Sequence, residues 1–381
     1  MLAGDIPAVG YKVFSVHPDI VGKAVKGMAL SANSAENKYF RITWDKEGVT
    51  SIFDKTLLKE VLSGKGNTLQ LLEEEPSSSW GLFFTGKKIP ITRLKGAEMI
   101  ENGPVRLVVQ WRDATEESLF VRKIILEKES PVVKFSILTD WHDHDKLLKV
   151  AFPLKVELGK GSYEIPYGNI ERPLSDLDNP AQNWVDLSNG TWGVSLLNNG
   201  RYGFSINEGM IQMSVIRGPR DMNPRMDHGI QEVNYALVAH AGNWREAEIV
   251  NRAYEFNRPL IALQESKHVS EVSGWTRSIS LPIQHFFYST DQKNVIISAI
   301  KVLQGDWSPA SIVIRLFETN GKECQVSVKL PFKPSTIVEA NHIEIPLALQ
   351  PKIERRDGGF SFRIGKDQIR TFILNGVSGK E

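Results

Sequence analysis

The sequence predicts an all-β chain of two packed units, and three observations carry that prediction. Apolar residues recur with period two, as in Ile124, Leu126, Val133, Phe135 and Ile137 and again in Val150 and Phe152. Turn residues such as Gly159, Gly161, Gly190, Gly200 and Gly209 punctuate these runs at short intervals. Between residues 264 and 274 (QESKHVSEVSG) the chain becomes polar and aperiodic, which reads as a linker between two packed bodies.

The elements follow in order. Residues 11–16 (YKVFSV) form an entry strand within a leading segment, 1–27. The main body, 28–263, is antiparallel sheet with one bracing helix: Asn243 is placed to cap it and Glu246 holds the capping-box position. Trp244, Ala247, Val250 and Tyr254 trace one face of this helix, and Pro259 stops it. After the linker, alternating segments at 295–301, 311–317, 325–332 and 359–364 predict a small β-sandwich over 275–381.

Composition excludes several function classes. The chain has 46 basic and 45 acidic side chains, a formal net charge of +1, so no long-range field steers it toward nucleic acid or an anionic membrane. A single cysteine, Cys324, rules out an internal disulfide framework. No apolar run reaches the roughly 18 residues of a membrane span, and MLAGDIPAVG lacks signal-peptide character. The expected compartment is the cytoplasm.

Two stretches are distinctive: residues 162–173 (SYEIPYGNIERP) and 226–240 (MDHGIQEVNYALVAH). Together with 37–62 (NKYFRITWDKEGVTSIFDKTLLKEVL), 140–153 (DWHDHDKLLKVAFP), 184–203 and 241–260, they resemble the carboxy-terminal half of glycoside hydrolase family 38 α-mannosidases. The resemblance is specific over residues 5–262. It implies a galactose-mutarotase-like supersandwich followed by the small sandwich, acting on an α-mannoside. It further implies that zinc and the nucleophilic carboxylate belong to a catalytic domain, in the same or another chain, expected upstream of Met1. No cofactor is expected in this chain itself. The strand at 11–16 would then have partners outside it, leaving an edge for another chain, for the carboxy-terminal sandwich or for a homo-oligomer contact.

Within that resemblance, Arg217 ends the apolar run 211–216 just before Gly218-Pro219 and resembles an arginine reaching the catalytic pocket. Arg172 offers a rigid fork of donors for sugar hydroxyls, with Tyr163 and Tyr167 as a wall and Glu171 as a structural neighbour. Trp80 stands in SSSWGLFFTG where relatives carry a W-D-A-W-D-I pattern, so both acids are absent. Asp227 and His228 share a turn, and a direct role for them at substrate competes with a structural hydrogen bond. The other tryptophans in regular patterns, Trp141, Trp184, Trp192 and Trp244, read as core.

The run Asp140-Trp141-His142-Asp143-His144-Asp145 puts two histidines on one strand face, but it reads as a solvated hairpin corner rather than a metal site. Glu73-Glu74-Glu75 and Glu116-Glu117 read as solvated charge runs. No acid and nucleophile pair for glycoside hydrolysis is evident, so the chain is expected to wall a carbohydrate site without catalysing alone. A free-standing carbohydrate-binding module, a mutarotase-like aldose epimerase using His228 with Glu232, and a purely structural subunit are the alternatives.

Overall fold

The computed structural model describes residues 3–15, 27–76, 79–207, 209–221, 223–264, 282–305 and 311–376. The expected linker lies outside the described residues except for Gln264, as does Val16 of the entry strand. The chain divides into two compact units, residues 23–258 and residues 1–22 with 259–381.

The fold is all-β. In the larger unit, nine strands form one antiparallel sheet in the order Gly168–Arg172, Lys160–Ile165, Trp184–Ser188, Trp192–Asn198, Gly229–Ala241, Val133–Trp141, Leu119–Glu127, Arg106–Ala114, Thr92–Asn102. A six-stranded sheet runs Ser175–Pro180, Gly203–Asn207, Met210–Arg217, Lys146–Pro153, Thr68–Glu74, Phe84–Ile89. Both sheets turn alternate residues into one core, where Trp111, Phe135, Ile137 and Trp141 meet Leu148, Val150, Phe152 and Met213. The period-two pattern is therefore the pleat itself. Five short strands between Ala29 and Glu60 form a third sheet whose Phe40, Ile42, Trp44 and Ile52 join the same core.

An ion pair is buried at that core. Arg122 points inward from Leu119–Glu127, yet its Nε donates to Asp113 at 2.8 Å, and its other nitrogens reach the backbone carbonyls of Asn67 and Glu47. Such burial is tolerable because each of its three nitrogens donates to an acceptor. The result ties the turn at Glu47 and the start of strand Thr68–Glu74 to the nine-stranded sheet.

The bracing helix is shorter than expected. Asn243 and Glu246 do form the reciprocal box: Asn243 Oδ1 accepts from the N–H of Arg245 and Glu246, and Glu246 Oε2 accepts from that of Asn243. That box closes only a single turn, because Glu248 adopts a left-handed conformation (φ 54). The Ile249 N–H then donates to the Trp244 carbonyl and that of Glu248 to Arg245, the paired bonds of a Schellman stop. Helix restarts as Ile249–Asn257 and lays Ile249, Val250 and Ala253 inward, while the Trp244 ring packs at a tilt against that of Trp184, centroids 4.7 Å apart. No glycine marks the stop, so nothing in the local residues signals it.

In the smaller unit, two four-stranded sheets enclose Ile314, Leu316, Val326, Phe360, Phe362 and Phe372. The four alternating segments appear as Val295–Val302, Ser311–Glu318, Cys324–Lys329 and Gly359–Ile364, joined by Thr336–Ala340, Glu354–Arg356 and Ile369–Asn375. Among its described residues the entry segment contributes Gly10–Lys12 as strand, paired with Gln284–Phe286 in this unit.

Candidate functional site

The face of the six-stranded sheet turned away from the core is polar. On strand Lys146–Pro153 the core takes Leu148, Val150 and Phe152, which leaves Lys149 on the opposite face beside Ser214 and Gln70. Lys149 Nζ donates to Asp178 at 2.6 Å and to Ser205 at 3.3 Å, and Ser214 also donates to Asp178. Lys149 and Asp178 are both nearly buried, which makes this a fixed charge pair rather than a solvated surface lysine.

Arg217 extends the same row. It closes its strand, and its Nε donates to both oxygens of Glu74 at 2.8 and 2.7 Å while Nη2 donates to the Gly81 carbonyl. Glu74 corrects an expectation: the middle member of the acidic run is buried, since strand alternation turns it onto this face beneath Arg217. Burial pushes its carboxyl above the usual range, opposed by the adjacent guanidinium and reinforced by Asp145 and Asp178.

The hairpin corner after Trp141 supports this pair. Asp145 accepts from the Glu74 N–H at 2.8 Å and donates its own N–H to the Gly218 carbonyl at 2.7 Å, so one residue fixes the backbone beside both members. Its carboxylate pairs with Arg220 at 2.9 Å. Across the loops, Ser79 donates to the Asp221 carbonyl at 2.8 Å, holding the turn that carries Trp80 against the loop that follows Arg217. Trp80 itself is 83% exposed, whereas Trp141, Trp184, Trp192 and Trp244 are buried.

Asp227 and His228 lie on the same side of the unit, in the turn leading into Gly229–Ala241. Asp227 is exposed, has φ 59, and its carbonyl accepts from Gln231. The His228 ring meets His144 with centroids 4.7 Å apart and His142 at 5.5 Å. Among the described residues, no group of three or more His, Cys, Asp or Glu side chains is arranged to hold a metal ion, this trio included.

Arg172 and Tyr167 stand on a different element, the edge hairpin Lys160–Ile165 and Gly168–Arg172. The Arg172 guanidinium lies 5.4 Å from the Tyr163 ring centroid and donates to the Pro180 carbonyl at 3.4 Å, bridging the edges of the two large sheets. Tyr163 is fully buried, and its phenol is pushed up to about 12 by burial. Tyr167 occupies the hairpin turn with φ 57 and is partly exposed. Glu171 is exposed and lies 3.9 Å from Lys160. Sequence reasoning missed Glu74, Lys149 and Asp178; the one available signal was a lysine inside the apolar run LLKVAFP.

A broad unit built on two large sheets, followed in the chain by a small sandwich, makes this an all-β protein of two packed units. Family models agree unit by unit. Residues 35–225 match the glycosyl hydrolases family 38 C-terminal domain, and residues 294–372 match the glycosyl hydrolases family 38 C-terminal beta sandwich domain. The chain belongs to glycosyl hydrolase family 38, to its carboxy-terminal region.

Relatives include alpha-mannosidase 2C1 of Mus musculus, 27% identical over 263 residues, covering 66% of this chain and 24% of that protein. Alpha-mannosidase G of Dictyostelium discoideum is 26% identical over 334 residues, covering 81% of this chain and 30% of that protein. The chain thus spans less than a third of the length of these curated relatives. In fold it is similar to an alpha-mannosidase from Enterococcus faecalis, with TM-score 0.73, 17% identity, and coverage of 90% of this chain and 42% of that one. No helix among the described residues is long and apolar enough to cross a membrane.

Proposed function

We propose that this chain is the carboxy-terminal β-region of an α-mannosidase and forms one wall of its substrate site. In this reading Arg217 hydrogen-bonds an α-mannoside, Trp80 supplies a stacking surface, and Asp227 and His228 border the same rim. Arg172 and Tyr167 line a more distant part of the wall. Zinc, nucleophile and acid come from a catalytic domain in the same or another chain, working in the cytoplasm. The observation that carries the reading is the fixing of Arg217 by buried Glu74, because a guanidinium held at a loop-lined rim is preorganised to donate to the hydroxyl groups of a ligand.

In an enzyme that includes the catalytic domain, Arg217→Ala should lower mannoside turnover roughly ten- to a hundredfold, the loss of a charged hydrogen bond worth about 1.5–3 kcal/mol. Unchanged turnover in a folded variant would remove Arg217 from the site. The exposure of Trp80 favours a second reading, a free-standing carbohydrate-binding module. Saturable quenching of tryptophan fluorescence by mannose in the isolated chain, lost in Trp80→Ala, would support it. An epimerase role has less support, since the rings that His228 meets are His142 and His144.

A further inference from the structure

Three imidazoles gather where the hairpin corner after Trp141 meets the turn before Gly229. His142 and His144 come from the corner and His228 from the turn, with ring centroids 5.5 and 4.7 Å from His228. His144 Nδ1 and His228 Nε2 are both buried without a hydrogen-bond partner, whereas His142 Nε2 lies 2.8 Å from Asp140. Arg225 adds positive charge beside His228, and Glu117 is the acidic group that faces it. The other acids of the corner are committed: Asp143 to Thr115 and Lys146, Asp145 to Arg220.

We infer that His142, His144 and His228 form a proton-operated latch joining this corner to the turn at 225–229, closed while the His228 ring is neutral and released when that ring is protonated in mildly acid solution. Packed neutral imidazoles attract through their faces and edges, but adding charge to two touching rings creates repulsion in a partly desolvated place. The His228 ring is held below its ordinary basicity by burial first, then by His144 and His142. A base depressed in the folded state contributes stability above its unfolded value, near 6.5, and loses it as pH falls through the folded one. Because Asp145 of the same corner fixes Glu74 and Gly218, latch release loosens the support of Arg217. That consequence rests on the proposed role of Arg217; the latch itself does not.

The test uses the chain without any mannoside, so its failure is distinct from failure of the mannosidase reading. Backbone hydrogen exchange over residues 225–229, corrected for intrinsic pH dependence, should be severalfold faster at about pH 5.5 than at about pH 7.5, because protonation of His228 favours the open form. His228→Asn should abolish the pH dependence. Corrected exchange that is independent of pH, or equally dependent in a folded His228→Asn variant, overturns the latch. Should that variant fail to fold, histidine titration of the wild-type chain by NMR decides: mutually coupled curves for His144 and His228 support it, and three independent ordinary titrations refute it.

Discussion

Arg217 and Glu74 are 143 residues apart in sequence, yet the Arg217 Nε lies 2.8 and 2.7 Å from the two carboxylate oxygens of Glu74. The pair is formed by the ends of two strands, Met210–Arg217 and Thr68–Glu74, that flank Lys146–Pro153 in one sheet. Register places Arg217 opposite Leu147 and Leu147 opposite Leu72, so alternation delivers both charges to one face. The rigidity of the proposed site is thus a property of the sheet rather than of its loops.

Removing the anchor should expose that dependence. Glu74→Ala leaves a guanidinium without its carboxylate, and the expected loss is about 1–3 kcal/mol. The figure falls below that for a fully buried pair because the Arg217 side chain remains 20% exposed. Glu74→Gln keeps an acceptor and should lose less. Urea denaturation of the chain checks the order, and equal losses in both variants would mean that the charge is irrelevant.

How much of this was legible beforehand varies with the kind of signal. Strands such as Gly359–Ile364 were visible because alternation survives in a sheet with one face buried. The end of the 211–216 run marked Arg217, but nothing local could reveal Glu74 as its partner, since the contact depends on the register of three strands. Three consecutive glutamates look solvated, and only the pleat separates the buried middle one from its neighbours. The helix start failed for another reason: the capping box was read correctly as hydrogen bonding, while the left-handed Glu248 that follows it carries no glycine signature. His228 joins His142 and His144 across strands, a pairing invisible in the HDH spacing alone.

The buried charge network at Asp113 should prove more costly to disturb than the Arg217 pair. Asp113 receives Arg122 at 2.8 Å, both side chains being 1% exposed, and Arg93 closes on its other oxygen. Asp113→Ala strands an arginine inside the core, with an expected loss of about 3–5 kcal/mol. Thermal unfolding would reveal it; a shift no larger than that of an exposed substitution would mean that water replaces the carboxylate.

Catalysis provides a third prediction. Under the proposed division of labour, the purified chain should release nothing from an aryl α-mannoside with added zinc or cobalt. Adding the catalytic domain should restore release. Chelator-sensitive turnover by this chain alone, persisting after host enzymes are removed, would contradict the proposed division of labour.

The last prediction concerns Glu164, whose carboxyl is raised by burial to about 7, with the Asn183 N–H and Trp184 opposing the shift. Its Oε2 accepts from the Asn183 N–H at 2.5 Å, a bond a neutral amide can also accept. In the unfolded chain the carboxyl ionises near 4.5, so between that value and 7 the folded protein retains a proton that the unfolded chain releases. The stability this group contributes is full below 4.5 and is lost as pH rises through 7, where folding must bury a charge. Glu164→Gln removes that penalty and should stabilise the chain on the order of 2–3 kcal/mol at about pH 8, with little change at about pH 4. Chemical denaturation at the two pH values measures the difference. An identical effect at both would show that Glu164 ionises in the folded protein as readily as in the unfolded chain, and that the polar groups around it compensate its burial.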